Sequence, residues 1–486
     1  MIRIEEATIT GMQQAMERGE TSSFELVQRY MERIALHDRQ GPRINSVLEL
    51  NADALHQAEA ADAARLRGAA LGPLHGVPVL LKDNIDTADR MHTSAGSIAL
   101  ANHYAQRDAF LVTRLREAGA VILGKANMTE WANFMTEGMP GGYSSRGGQV
   151  LNPYGPGRFY AGGSSTGSAA AVAASFTAAA VGTETSGSIL CPAVYQSIVG
   201  IKPTVGLISR SGIIPLAHSQ DTAGPMARTV ADAALLLGVM RGHDPRDPVT
   251  GCSIGMEQPD YAAQLDRAGL QGARIGIPRR VFHDSLSEEE QILFEELLRE
   301  IADAGAVLID PADIPSAGEL SLLHSSVLVH EFKADLNAYL SKLPLDQPVH
   351  SLKELIAFNE AHADKALAYG QKILVYAESK SGTLTEPQYI MDRLKDIRLS
   401  RTEGIDRVLK EHRLDALLFP HDSGEEIAAK AGYPSIAVPG GYLRDGKPFG
   451  VMFTGGAFSE PSLIRLAYAF EQLSPRRVPP ELAATE

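Results

Sequence analysis

Short apolar runs recur along this chain, and stretches with helical spacing come between several of them. Residues 77–81, 121–123, 198–201, 274–277, 307–309, 415–419, 435–438 and 450–453 are the runs. Runs this short read as buried strands, because a strand covered on both faces has no polar side to show. Between them, residues 107–118, 288–304, 320–340 and 389–411 carry apolar side chains at helical intervals. Alternation of this kind over 486 residues predicts an α/β fold, with a central mixed β-sheet covered by helices on both faces.

The first 70 residues read as a helical segment. Ser22 and Glu25 have capping-box spacing, in which each side chain satisfies the other's free backbone N–H. Leu26, Tyr30 and Ile34 follow at helical spacing, and a second helix is expected from near Asn51 to Gly68. Residues 138–167 are rich in Gly, Ser, Pro and Asn and read as loop. The small residues of 168–180 suggest a tightly packed helix followed by a strand. No internal repeat or flexible linker is apparent. The chain is therefore read as one domain: 1–70 helical, 71–310 the core, 320–411 a helical lobe, and 412–486 a return to the sheet.

Hydrophobic residues make up 44% of the chain, enough for a large core. A net charge of −14 repels phosphate backbones, so nucleic acid is not an expected partner. The two cysteines, Cys191 and Cys252, sit in no Cys/His cluster, which argues against a disulfide framework or a bound metal. Cys191 is read as a small buried side chain. The start Met-Ile-Arg-Ile-Glu-Glu is not a secretory signal. No window approaches the roughly 18 apolar residues of a membrane span. The expectation is a cytoplasmic protein without a membrane partner.

Two segments carry chemistry. Gly162-Gly-Ser-Ser-Thr-Gly-Ser168 and Gly182-Thr-Glu-Thr-Ser-Gly-Ser188 combine glycines, which let backbone approach a ligand, with serines that can act as nucleophiles. Successive N–H groups in such loops can converge on an anionic oxygen, although tight turns alone use the same residues. Lys82 closes the apolar run that begins at Val77. A lysine there is either salt-bridged or held neutral by desolvation, and a neutral lysine is a base.

With Gly76-Val-Pro-Val-Leu-Leu-Lys82-Asp-Asn, these segments resemble the amidase signature family. Thr93-Ser-Ala-Gly-Ser97, Gly119-Ala-Val-Ile-Leu-Gly-Lys125, Asp221-Thr-Ala-Gly-Pro-Met-Ala-Arg-Thr229, Gly432-Tyr-Pro-Ser-Ile436 and Pro448-Phe-Gly-Val-Met452 extend the likeness in order. Trp131-Ala-Asn133, Arg146-Gly-Gly-Gln-Val-Leu-Asn-Pro153, Glu331-Phe-Lys-Ala334 and Ile189-Leu-Cys191-Pro192 resemble bacterial peptide amidase-type members.

The resemblance implies Ser188 as nucleophile, Ser164 as bridge and Lys82 as base. It implies an oxyanion hole of backbone N–H groups at Thr185, Ser186, Gly187 and Ser188. Gly163 and Ser165 are supporting residues, with a cis bond between Gly163 and Ser164. No metal or cofactor is implied. The substrate would be a small-molecule or peptide amide, and the protein a monomer or homodimer. The alternative is the ammonia-releasing component of a tRNA-dependent amidotransferase, but such components usually carry Arg where this chain has Leu190.

Two departures stand out: many bacterial relatives have Asp at the position of Ser186, and the segment from His421 to Gly432 is short. Three other motifs fail on inspection. Gly163-Ser-Ser-Thr-Gly167 fits the hydrolase elbow but lacks a preceding strand. Gly119 to Ala126 fits a phosphate loop except for a strand-like middle and a missing hydroxyl, and His330-Glu331 lacks a second zinc-binding histidine.

Overall fold

The structure is a computed structural model that describes residues 2–69, 72–256 and 260–482. Its strands are β1 (Val47–Leu50), β2 (Pro78–Lys82), β3 (Val121–Ala126), β4 (Tyr143–Ser144), β5 (Gly148–Gln149), β6 (Ala179–Glu184) and β7 (Val199–Lys202). Then follow β8 (Thr222–Ala227), β9 (Arg274–Gly276), β10 (Val307–Ile309), β11 (Ala416–Pro420), β12 (Ser435–Tyr442) and β13 (Pro448–Thr454). Eleven of them form one sheet in the order β1-β3-β2-β6-β8-β7-β12-β13-β11-β9-β10, while β4 and β5 make a small hairpin. The sheet is mixed: β3, β2 and β6 run parallel, as do β11, β9 and β10, and the remaining pairs are antiparallel. Helices flank it, as the alternating pattern predicts.

Every residue of β2, β3, β6 and β13 is buried, which is why the runs 77–81, 121–123 and 450–453 show no polar face. Four strands escape the sequence reading: the short β4 and β5, which lie in the segment read as loop, and β1 and β8 of the large sheet. β1 lies inside the segment expected to be helical and pairs antiparallel with β3 at the sheet edge. At four residues, Val-Leu-Glu-Leu, it is too short for a period to show. β8, Thr-Ala-Gly-Pro-Met-Ala, has almost no strand-forming composition and is held by β6 and β7 on either side.

The second helix begins at Ala54, because Asn51 is committed elsewhere: its amide donates to the Ile122 carbonyl at 2.7 Å. Helix 320–340 is broken into Ala317–Ser321 and Val327–Leu340, and 389–411 passes through a π-helical stretch at Arg398–Ile405. The expected division between residues 70 and 71 lies outside the described residues. The capping box of Ser22 and Glu25 is formed, with both reciprocal bonds present.

Two apolar clusters stabilise the fold. The larger follows the sheet. The second joins Phe332, Leu336 and Leu355 from the helices of the 327–377 region to Trp131, Met135 and Leu216 from loops beside the sheet. Helix Thr166–Ala173 is built of Gly, Ser, Ala, Thr and Val, and all eight residues are buried. Its small side chains let it lie against β2, β6 and β8, which carries the segment before it into the protein interior.

Phe453 on β13 is fully buried and packs edge-on against Phe470 at 5.9 Å. Phe453→Ala is expected to cost about 3–5 kcal/mol, the usual penalty for emptying a buried aromatic site. A urea midpoint equal to that of the parent chain would contradict this packing.

Candidate active site

Parallel pairing of β2 with β6 sets Leu81 beside Val181, so Lys82, the last residue of β2, and Thr183, two residues beyond Val181, come together at the carboxyl ends of the two strands. Carboxyl ends of parallel strands are the usual position of ligand sites in such folds. Lys82 is fully buried. Its Nζ lies 2.8 Å from Ser164 Oγ, 2.9 Å from Thr183 Oγ1 and 3.1 Å from the Thr183 carbonyl. Burial drives its pKa down to about 7, against the pull of Glu184 and Asp221. Of the two readings open for this lysine, its surroundings are those of desolvation: its contacts are hydroxyls and a carbonyl, with no carboxylate in ion-pair range among the described residues.

Ser164 sits just before helix Thr166–Ala173, follows a cis peptide bond from Gly163, and is fully buried. No strand precedes it, so the elbow motif is absent. The two Gly/Ser segments are joined by backbone: the Ser165 N–H donates to the Ser188 carbonyl at 3.0 Å. The Ser165 hydroxyl does not reach Lys82. It donates to the Thr183 carbonyl at 3.0 Å and accepts from the Thr183 N–H at 3.2 Å, so it holds the residue that holds the lysine. Ser188 is 5% exposed. The inner link of the expected relay, Lys82 to Ser164, is a formed hydrogen bond, whereas among the described residues Ser188 Oγ makes none. Catalytic hydrogen bonds often tighten only when substrate arrives.

The turn from Thr185 to Ser188 is held from several sides. Below it, the buried Glu184 carboxylate accepts from the Ile189 and Leu190 N–H groups at 2.7 and 2.9 Å. Burial raises the Glu184 pKa, while Lys202 and the N–H groups of Leu190, Ile189 and Gly187 pull it back. Thr185 Oγ1 donates to Asp221 at 2.5 Å, and Asp221 also accepts from the Leu216 and Ala217 N–H groups. On the outer side, Ser186 Oγ donates to Glu425 Oε2 at 3.2 Å. Cys191, read as a small buried side chain, is partly exposed.

A cavity of about 690 Å³ meets the site at Asn84, Thr183 and Thr185 and continues between Ile213, Leu216 and Tyr339. At its far wall His218 lies 2.8 Å from Asp335 and 3.5 Å from Glu331. Among the described residues, these three form the group whose ligand atoms, within 4.8 Å of one another, could surround a metal ion. Their partners are each other and nearby donors, and the Asp335 hydrogen bond raises the His218 pKa, as in an ion-paired histidine. The rejected phosphate-loop match proves to be strand β3, and Glu331 of the rejected zinc motif is buried in this ion pair.

Sequence reasoning missed Thr183, Glu184 and Glu425. Thr183 and Glu184 are polar residues ending a buried strand, which is a readable signal. Glu425 is separated from its partner Ser186 by 239 residues, and nothing in the local pattern marks it.

Residues 25–429 match the family model described as Amidase. The fold is similar to that of a peptide amidase from Stenotrophomonas maltophilia, with a TM-score of 0.93 and 46% identity, covering 98% of this chain and 99% of that one. A probable amidase of Arabidopsis thaliana is 43% identical, over 99% of this chain and 92% of its own length. A glutamyl-tRNA(Gln) amidotransferase component from Halorhodospira halophila is more distant, 34% identical over 96% of this chain and 97% of its own.

Glu184→Ala leaves two buried N–H groups without an acceptor, at about 1–3 kcal/mol each. The expected result is a lower urea midpoint and faster hydrogen exchange at residues 189 and 190. Unchanged exchange there would show that Glu184 does not hold the turn.

Proposed function

The chain belongs to the amidase signature family, and on that premise we propose that it hydrolyses a carboxylic amide through an acyl-enzyme on Ser188. The observation that carries this reading is the environment of Lys82. A neutral amine has two N–H donors and one lone pair, and Lys82 has three polar contacts. Two N–H groups directed at the Thr183 carbonyl and hydroxyl leave the lone pair facing Ser164. In that arrangement Lys82 is a base aimed at one hydroxyl.

The steps follow. Lys82 takes the Ser164 proton as Ser164 takes that of Ser188, and the freed Ser188 oxygen attacks the amide carbon. Negative charge on the carbonyl oxygen is met by backbone N–H groups of the Thr185–Ser188 turn, a type of contact whose loss costs about 3–4 kcal/mol in other enzymes. The relay returns the proton to the departing nitrogen as the C–N bond breaks. Water, activated by the same relay, then cleaves the ester and releases a carboxylic acid. Gly163 and Ser165 support this geometry without taking part.

The cavity has the volume of a small-molecule site and suits an acyl group of two or three residues or an aryl or alkyl amide. The likeness to a peptide amidase supports peptide C-terminal amides as first candidates. A free-standing cytoplasmic enzyme is favoured over an amidotransferase component, since Leu190 takes the place of the arginine usual there. Among the described residues no helix is long and apolar enough to cross a membrane.

The test is direct. Purified chain alone is expected to release ammonia or amine from at least one of N-acetyl-leucinamide, an acyl anilide and a short aliphatic amide. Ser188→Ala is expected to abolish this while retaining its melting transition, and full activity in that variant would sink the assignment. The second expectation concerns pH. Lys82 acts only when neutral, so kcat/KM rises as pH increases through about 7. Lys82→Ala removes this limb along with most of the activity, and an unchanged profile would count against Lys82 as the base.

A further inference from the structure

Helix Glu425–Ala431 follows β11 after a short turn and brings Glu425 onto the outer side of the nucleophile turn. Two contacts fix the carboxyl there. Ser186 Oγ donates to Oε2 at 3.2 Å, and the carboxyl lies so close to the Gly187 α-carbon that a Cβ at 187 would overlap it. Gly187 also has a φ of +75°, so a side chain there would be strained and would push the Glu425 carboxyl away. The turn that carries Ser188 is thus gripped between two carboxyls: Glu184 from inside, through the N–H groups of Ile189 and Leu190, and Glu425 from outside.

We propose that Glu425 is a positioning residue for the reaction at Ser188: pressed on Gly187 and bonded to Ser186, its carboxyl holds the oxyanion-binding N–H groups in register. This rests on the reading of Ser188 as nucleophile given above. A charged group at this place would oppose the negative charge that develops on the carbonyl oxygen. The surroundings resolve the conflict. Glu425 is faced by Asp422 and Glu426 from its own segment and by Glu184 from β6, with Cys191 and Tyr160 completing the wall. Glu426 is paired with Lys430, and among the described residues neither Glu425 nor Asp422 has a cationic partner. Burial first, then Asp422, Glu184 and Glu426, push the Glu425 pKa well above its ordinary value, with the Ser186 hydrogen bond opposing. The same surroundings favour the neutral acid over the carboxylate, and the acid becomes a repulsive carboxylate as the pH rises through its raised pKa.

Glu425→Ala, Glu425→Gln and Ser186→Ala separate positioning from bulk stability. With the best of the three amides above, E425A is expected to lower kcat on the order of 30-fold while KM moves less than threefold, because the loss falls on the transition state. E425Q, neutral and of the same shape, is expected to restore kcat to within about threefold of the parent chain at pH 7. It should also lack the alkaline fall in kcat expected of the parent as Glu425 ionises. S186A is expected to lose less than E425A and to keep that alkaline fall. A kcat for E425A equal to the parent's overturns the proposal. So does an E425Q as slow as E425A, or one that keeps the alkaline fall. Each variant is compared with Ser188→Ala: activity surviving in Ser188→Ala defeats the reading of the site itself, whereas a parent-like E425A beside an inactive Ser188→Ala defeats only the role of Glu425.

Discussion

The site depends on a lysine kept away from water. Lys82 is fully buried among hydroxyls and a backbone carbonyl, and burial brings its pKa to about 7. An unpaired ammonium at that depth is disfavoured, so burial makes the neutral amine accessible near neutral pH, which is the form the proposed role requires. Much of the surrounding structure serves this condition. The parallel pairing of β2 with β6 brings Thr183 beside the lysine. Ser165 locks Thr183 in turn, and helix Thr166–Ala173 seals the back of the site with all of its residues buried.

Much of this is legible in the chain itself. Lys82 at the end of an apolar run already poses the choice between ion pair and desolvated base. Glycine and serine in two nearby segments show where the backbone must come close. What the sequence cannot display are contacts across long separations and strands without a strand's composition. β8 is a strand because β6 and β7 leave a gap in the ladder between them, not because Thr-Ala-Gly-Pro-Met-Ala favours extension. β1 is four residues whose role is to close an edge. The second helix starts three residues late because the Asn51 amide is bonded to β3.

The two places read in the sequence as departures, Ser186 and the 421–432 segment, meet in the structure. The segment folds into the turn and helix that deliver Glu425 to Ser186. A carboxyl thus reaches the nucleophile turn from a distant part of the chain.

The helix of small residues behind Ser164 has a consequence for how such a protein can change. With all eight positions buried and filled by Gly, Ser, Ala, Thr and Val, larger side chains there would overpack it against the sheet, at a usual cost of about 1–3 kcal/mol. Heritable variation is therefore filtered by depth. The machinery next to the sheet is closed to drift, and new selectivity has to be written in the cavity wall and in the segment that carries Glu425, where side chains are partly open to solvent. Selection acting on such a scaffold would leave a constant reaction beneath a changing choice of amide.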